Sequence, residues 1–244
     1  MTSTAAAAGV TPGPKNLFAR FIGVITDPKE TFRSIVAHPR WLGMLLLTSV
    51  LVAFFSALPM TTDAGKQAAI DQQVEQRRSF GVETNDQAYA QMEKMSGVMP
   101  YVTFGMVLIF SPIMAAIIAG VLFAIFNAAL GGEASYKQVL AVLVHAGGVS
   151  ALSTVFSGII NYFSGRVGSA ANLGALLPML PEHSFAANLL GTVDVFLLWW
   201  VIVLAIGLGV LYRRRTQPIA ISLFSVYAVI ALAIAIFKSR AGGA

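Results

Sequence analysis

The sequence predicts an all-α integral membrane protein, a bundle of five transmembrane helices preceded by amphipathic interfacial helices. Three observations carry this. Charge is scarce, with 11% of the 244 residues charged against 57% hydrophobic, and the mean hydropathy is +0.75. Soluble domains carry about 25% charged residues, so a water-facing surface cannot be covered from this composition. The charges are also segregated, with none from Val98 to Leu130 and none between Asp194 and Arg213. A bilayer core about 30 Å thick takes roughly 20 apolar residues in a helix, and both stretches are long enough. Finally, the basic residues gather at the ends of apolar runs, as Arg33 and Arg40 before the first and Arg213-Arg214-Arg215 after the fourth.

The elements follow in order. Residues 1–14 lack the cationic start and leucine-rich core of a secretory signal peptide and read as a disordered tail. In residues 15–40, Leu17, Phe18, Phe21, Ile22 and Ile25 share one helical face, with Lys15 and Arg20 off it. Asp27-Pro28 then gives an N-cap and first-turn proline, with Glu30 at the third position. The helix it opens presents Phe32, Ile35 and Val36 together and ends before Pro39. Two readings are open for this pair of helices: they lie in the membrane interface, or they pack on the protein's own cytosolic side.

Residues 41–238 form the membrane domain. Its first span is Trp41–Pro59, with Trp41 as interfacial anchor. Residues 61–97 are a polar extramembrane insert, six acidic residues against four basic, helical but interrupted near Gly81. The second span lies in Pro100–Leu130, with a kink expected at Ser111-Pro112. Gly131-Gly132 ends it, and Ser135 with Gln138 forms a capping box that opens the third span, to about Ile160. So short a connection makes these helices antiparallel neighbours. A loop with an apolar piece, Leu173–Leu180, leads to a fourth span at Asn188–Tyr212 and a fifth at Pro218–Phe237.

With the N-terminus inside, nine basic residues fall on inner segments and seven on outer ones. Both dense clusters, Arg33/Arg40 and Arg213 to Arg215, fall inside, which favours N-in, C-out. Anionic lipid headgroups account for these cations. Nucleic acid does not, because no basic face is interleaved with stacking aromatics. The chain has no cysteine, so thiolate metal sites and disulfides are excluded.

No phosphate loop, nucleophile elbow or zinc-type histidine pair occurs, and no cofactor, metal or catalytic residue is expected. His38, His145 and His183 are scattered. The intramembrane polar candidates are Asp194, His145 and Asn127. A buried carboxylate at mid-membrane costs about 2.5–3.5 kcal/mol, so Asp194 either couples ions or protons or, more simply, sits near headgroups or beside Arg166. His145 and Asn127 suit hydrogen bonds across helices. Small residues recur every fourth position as Ala116, Gly120, Ala124 and Ala128 in the second span, and as Ala146, Ser150, Thr154 and Gly158 in the third. Such stripes let helix backbones approach closely, either within the bundle or toward another copy or another membrane protein.

The opening Asp27-Pro28 with Phe32, then Pro39 and Trp41, resembles the start of the Yip (Ypt/Rab-interacting protein) family of membrane proteins, in its bacterial branch. Gly131-Gly132 followed by Ser135-Tyr136-Lys137-Gln138 is similar to that family's central signature. The resemblance covers about residues 15–238 and implies a five-span fold in a bacterial inner membrane. Eukaryotic relatives are associated with vesicle traffic, Rab-type GTPases and membrane shaping, a role that does not carry over to bacterial ones. The 61–97 insert departs from a minimal member. The leading functional expectation is a non-enzymatic membrane protein acting through helix packing, lipid contact or partner binding. The rival is a small transporter using Asp194, His145 and Asn127.

Overall fold

The computed structural model describes residues 16–176 and 185–241, which are helical throughout apart from turns and one isolated bridge between Asn172 and Asp194. The N-terminal tail, part of the Leu173–Leu180 piece and His183 lie outside the described residues.

Helix α1 (Leu17–Thr26) is capped by Asn16, whose side chain accepts from the Ala19 amide at 2.8 Å. Asp27 caps α2 (Pro28–Ala37), accepting from Glu30 N at 3.3 Å with Pro28 in the first turn. The two helices pack on each other and on the membrane bundle. Val24, Phe32 and Ile35 are fully buried in the main core. The buried face of α1 is not the one its apolar spacing predicts. Arg20, expected off the packed face, is only 2% exposed, whereas Phe18 is 69% exposed and Ile22 is also outside. Arginine allows this because its long stem packs like a hydrocarbon while its guanidinium reaches a polar group, here the His38 carbonyl at 3.3 Å.

Helix α3 (Leu42–Ala57) leads through a short 3-10 turn into α4 (Asp63–Ser79). A turn with Gly81 at φ +73° separates it from α5 (Asp86–Met95), which Asn85 caps. Helix α6 (Met99–Phe123) runs without interruption through Pro112 and widens into a π-type turn over Ala124–Ala129. Beside Pro112, the Ser111 hydroxyl donates to Ser49 of α3 at 2.8 Å. Helix α7 (Tyr136–Ser164) opens on the full Ser135–Gln138 capping box. It is the central element, packed on α1, α2, α3, α6 and α10, and its residues 139–146 are all buried. A short turn, α8 (Leu173–Leu176), precedes α9 (Phe185–Thr192), α10 (Val195–Leu211) and α11 (Thr216–Ala241).

Among the described residues, four helical runs are long and apolar enough to cross a membrane: Leu42–Thr61, Asp86–Ala128, Tyr136–Ser164 and Thr216–Phe237. The expected fourth span, Asn188–Tyr212, is corrected. Its helix breaks at Val193-Asp194, leaving α10 as a continuous 17-residue helix. The cause is local: Asp194 turns its carboxylate onto the amides of Phe196 and Leu197 at 2.8 and 3.0 Å and so starts a new helix.

Candidate functional site

Three chain segments meet at the end of the bundle where α7 begins and α10 finishes. The first is α2. Phe32 sits against α7 and α10 where Gly207 has no side chain: a Cβ there would lie 3.0 Å from the Phe32 ring and 2.6 Å from Val142 Cγ1. The second is the α6–α7 turn. Gly131 adopts φ +68°, a left-handed conformation that glycine enters without strain. Gly132 is excluded from any larger identity by space, since its Cβ would fall 2.5 Å from the Tyr212 ring and 2.7 Å from the Phe126 carbonyl. The third is the end of α10, where Tyr212 stacks on Phe126 with ring centroids 4.8 Å apart.

Polar groups tie these segments together. Asn127 Nδ2 donates to the Ala134 carbonyl at 2.6 Å, while its Oδ1 accepts from the Tyr212 hydroxyl at 2.8 Å. Arg214 donates to the Leu130 carbonyl at 2.8 Å. Gln138 does two jobs. Its Oε1 accepts from Ser135 N at 2.9 Å to close the capping box, and its Nε2 donates to Val36 O at 3.3 Å, which holds the last turn of α2. The surface of this end is basic. Arg33 pairs with Glu30 at 2.8 Å, and Arg40, Arg213 and Arg215 are exposed. Burial, with Arg40 nearby, pulls the Arg20 guanidinium below the usual arginine range.

Phe32, Gly131, Gly132, Ser135 and Asn127 thus gather at one end, while Asp27 and Pro28 serve to start α2. Asp194 does not join them. It caps the N-terminus of α10, about 25 Å away along that helix, and accepts a short hydrogen bond from Ser169. The Asp194–Ser169 bond joins the start of α10 to the chain that leaves α7. His145 is fully buried in α7 and bonds its own helix through Nδ1 to Ala141 O at 2.7 Å. The three polar candidates share no hydrogen-bond partner. Among the described residues, no three His, Asp or Glu side chains converge as a metal site would need.

The small-residue stripes divide unevenly. On α6, Ala116 and Ala124 are exposed, and a Cβ on Gly120 would meet nothing within 4 Å. On α7, Ala146 is buried and Ser150 exposed. Gly158 is in the closest approach, where a Cβ would sit 2.4 Å from the Phe55 carbonyl of α3. Gly207, Tyr212 and the second role of Gln138 are absent from the sequence reading. Gly207 carries a weak signal in the Ala205-x-Gly207-x-Gly209 run, but nothing local names Phe32 as its occupant.

The Yip1 domain model matches residues 22–237, which contain each of these contacts except that of Arg20. The chain belongs to the Yip1 family. It is also similar to Membrane protein YknW of Bacillus subtilis (strain 168), 26% identical over 223 residues, covering 90% of this chain and 91% of that one. No solved structure matches it. The paired glycines and capping box of this Yip1-family chain form the knot that joins α6, α7 and α10 at the arginine-rich end.

Proposed function

We propose that this chain is a five-crossing, non-enzymatic protein of a bacterial inner membrane whose arginine-rich cytoplasmic end is a docking platform for lipid headgroups and membrane partners. One observation carries the reading: α10 is tied at both ends to the same two layers as α7. Asp194 meets Ser169, just past the end of α7, and Tyr212 meets Asn127 and Gly132, just before its start. At about 25 Å, 17 residues lie within the range of membrane-crossing helices, so α10 counts as the fifth crossing. Five crossings with an inside N-terminus put the Arg33, Arg40 and Arg213 to Arg215 clusters on the cytoplasmic side and the α4–α5 insert outside.

The binding role draws support from how the polar groups are used. Asp194 and Asn127 are committed to structural hydrogen bonds, and His145 bonds its own helix through Nδ1 with Nε2 enclosed in the core, which makes the basic surface the most accessible chemically distinctive feature. The exposed Phe18 and Ile22 of α1 give that surface an apolar edge suited to the membrane interface. Purification from native membranes with lipids retained tests this: phospholipid held at fixed stoichiometry supports it, and its complete absence counts against it.

A permease reading has one favourable observation, a recess of about 290 Å³ lined partly by Ser153, Thr154, Ser157, Asn161 and Thr103. Four of those five groups are already used: Ser157 accepts from Ala170 N at 3.1 Å, Asn161 donates to Gly168 O at 2.7 Å, Thr154 donates to Ser150 O at 3.0 Å and Thr103 donates to Met60 Sδ at 3.3 Å. Gradient-driven uptake into proteoliposomes that Asp194→Asn abolishes would favour the permease and displace the binding role.

A further inference from the structure

Helices α6 and α11 reach the arginine-rich end on different supports. α6 packs on α3 and α7, α11 packs on α9 and α10, and the two share no substantial interface. Between them lies a cleft of about 490 Å³, within the range of small-molecule sites. One wall is Leu122, Ile125 and Phe126, and the other is Ile219, Leu223 and Val226. Ser222 also lines it, but its hydroxyl is spent on its own helix, donating to Pro218 O at 3.0 Å. Arg214 and Arg215 stand at its mouth. Arg214 is fixed by the Leu130 carbonyl, and Arg215 is exposed and pairs with no carboxylate among the described residues.

We infer that this cleft binds one anionic phospholipid, its phosphate against Arg215 and Arg214 and an acyl chain along the α6 and α11 walls. The charge is complementary: two guanidinium groups stand beside the N-terminus of α11, whose dipole also favours an anion, and no acidic side chain lines the cleft. The depth fits a lipid better than a partner helix. From Ile219 to Val226 the wall is about 10 Å long, one part of a leaflet, whereas a membrane helix needs a face along most of the bilayer. The inference goes beyond the platform reading. It requires the arginines to lie at the membrane surface, but neither a particular side of the membrane nor a particular number of crossings.

The test is titration of the full chain in detergent with phosphatidylglycerol or phosphatidylcholine, read by native mass spectrometry. Phosphatidylglycerol should bind at least about fivefold more tightly, and Arg215→Gln should erase about fivefold of its affinity. Arg33→Gln, at a cation outside the cleft, should leave it unchanged. Val226→Trp, at an exposed position where folding is not at risk, should block both lipids. Equal affinity for the two lipids would overturn the inference, as would equal losses in Arg215→Gln and Arg33→Gln, which would mean diffuse surface charge. Glycerol phosphate, with no acyl chain, raising the melting temperature as much as phosphatidylglycerol would also overturn it.

Discussion

The ring of Phe32 occupies the space that Gly207 leaves by having no side chain. A Cβ at 207 would be 3.0 Å from two ring carbons and closer still to Val142. This contact seats α2 on α7 and α10 and decides whether the N-terminal helices belong to the bundle or float beside it. Gly207→Leu should expel the ring and cost about 1–3 kcal/mol, as overpacking does. Phe32→Ala should cost about 3–5 kcal/mol. The double variant should cost clearly less than the sum, because the two share one volume. Additive losses in thermal unfolding would mean that Phe32 is seated elsewhere.

The two glycines of the small-residue stripes should behave oppositely. At Gly158 even alanine would drive a Cβ into the Phe55 carbonyl, so Gly158→Leu should lower the melting temperature or split α3 from α7. Gly120→Leu faces open space and should leave monomer stability within about 0.5 kcal/mol. A Gly120→Leu protein as unstable as Gly158→Leu would place α6 differently in the bundle.

Asp194 should tolerate loss of charge and not loss of its oxygen. Asparagine caps helices as well as aspartate, whereas alanine in place of a cap costs about 0.5–2 kcal/mol. Melting curves should therefore rank wild type and Asp194→Asn together, with Asp194→Ala below. If Asp194→Asn falls as far as Asp194→Ala, the charge itself matters and the capping account fails.

Gln138 separates two roles in one side chain. Gln138→Glu keeps the acceptor that closes the capping box but loses the donor to Val36 O, which leaves that carbonyl unpaired. α7 should stay intact while residues 28–37 exchange amide hydrogens faster, by roughly the factor that a hydrogen bond of about 0.5–1.5 kcal/mol implies. Unchanged exchange in α2 would show that Gln138 does not hold it.

What the sequence made legible was local. Asp27-Pro28 and Ser135 with Gln138 start their helices where cap chemistry says, because a cap needs only residues three apart. The break before α10 was hidden, since a hydropathy window cannot tell a capping aspartate from an intramembrane carboxylate. Arg20 misled for a related reason: charge marks it as solvent-facing, but the carbonyl that receives it belongs to His38, eighteen residues on. Spacing by four defines a stripe on α6 and on α7 without saying which neighbour covers it. The site at the arginine-rich end needed tertiary structure, because Gly207, Tyr212 and Gln138 acquire their roles from residues 85 to 175 positions away for Asn127 and Phe32, and 102 for Val36.

The most direct test is of the crossing by α10. The chain has no cysteine, so single cysteines can be placed at exposed Glu83, Glu133, Arg166 and Gln217 and probed in intact cells with a membrane-impermeant maleimide. The account predicts that Glu83→Cys and Arg166→Cys label from outside, while Glu133→Cys and Gln217→Cys label only after the membrane is opened. Labelling of Gln217→Cys together with Arg166→Cys would mean that α10 does not cross, and it would contradict the five-crossing arrangement.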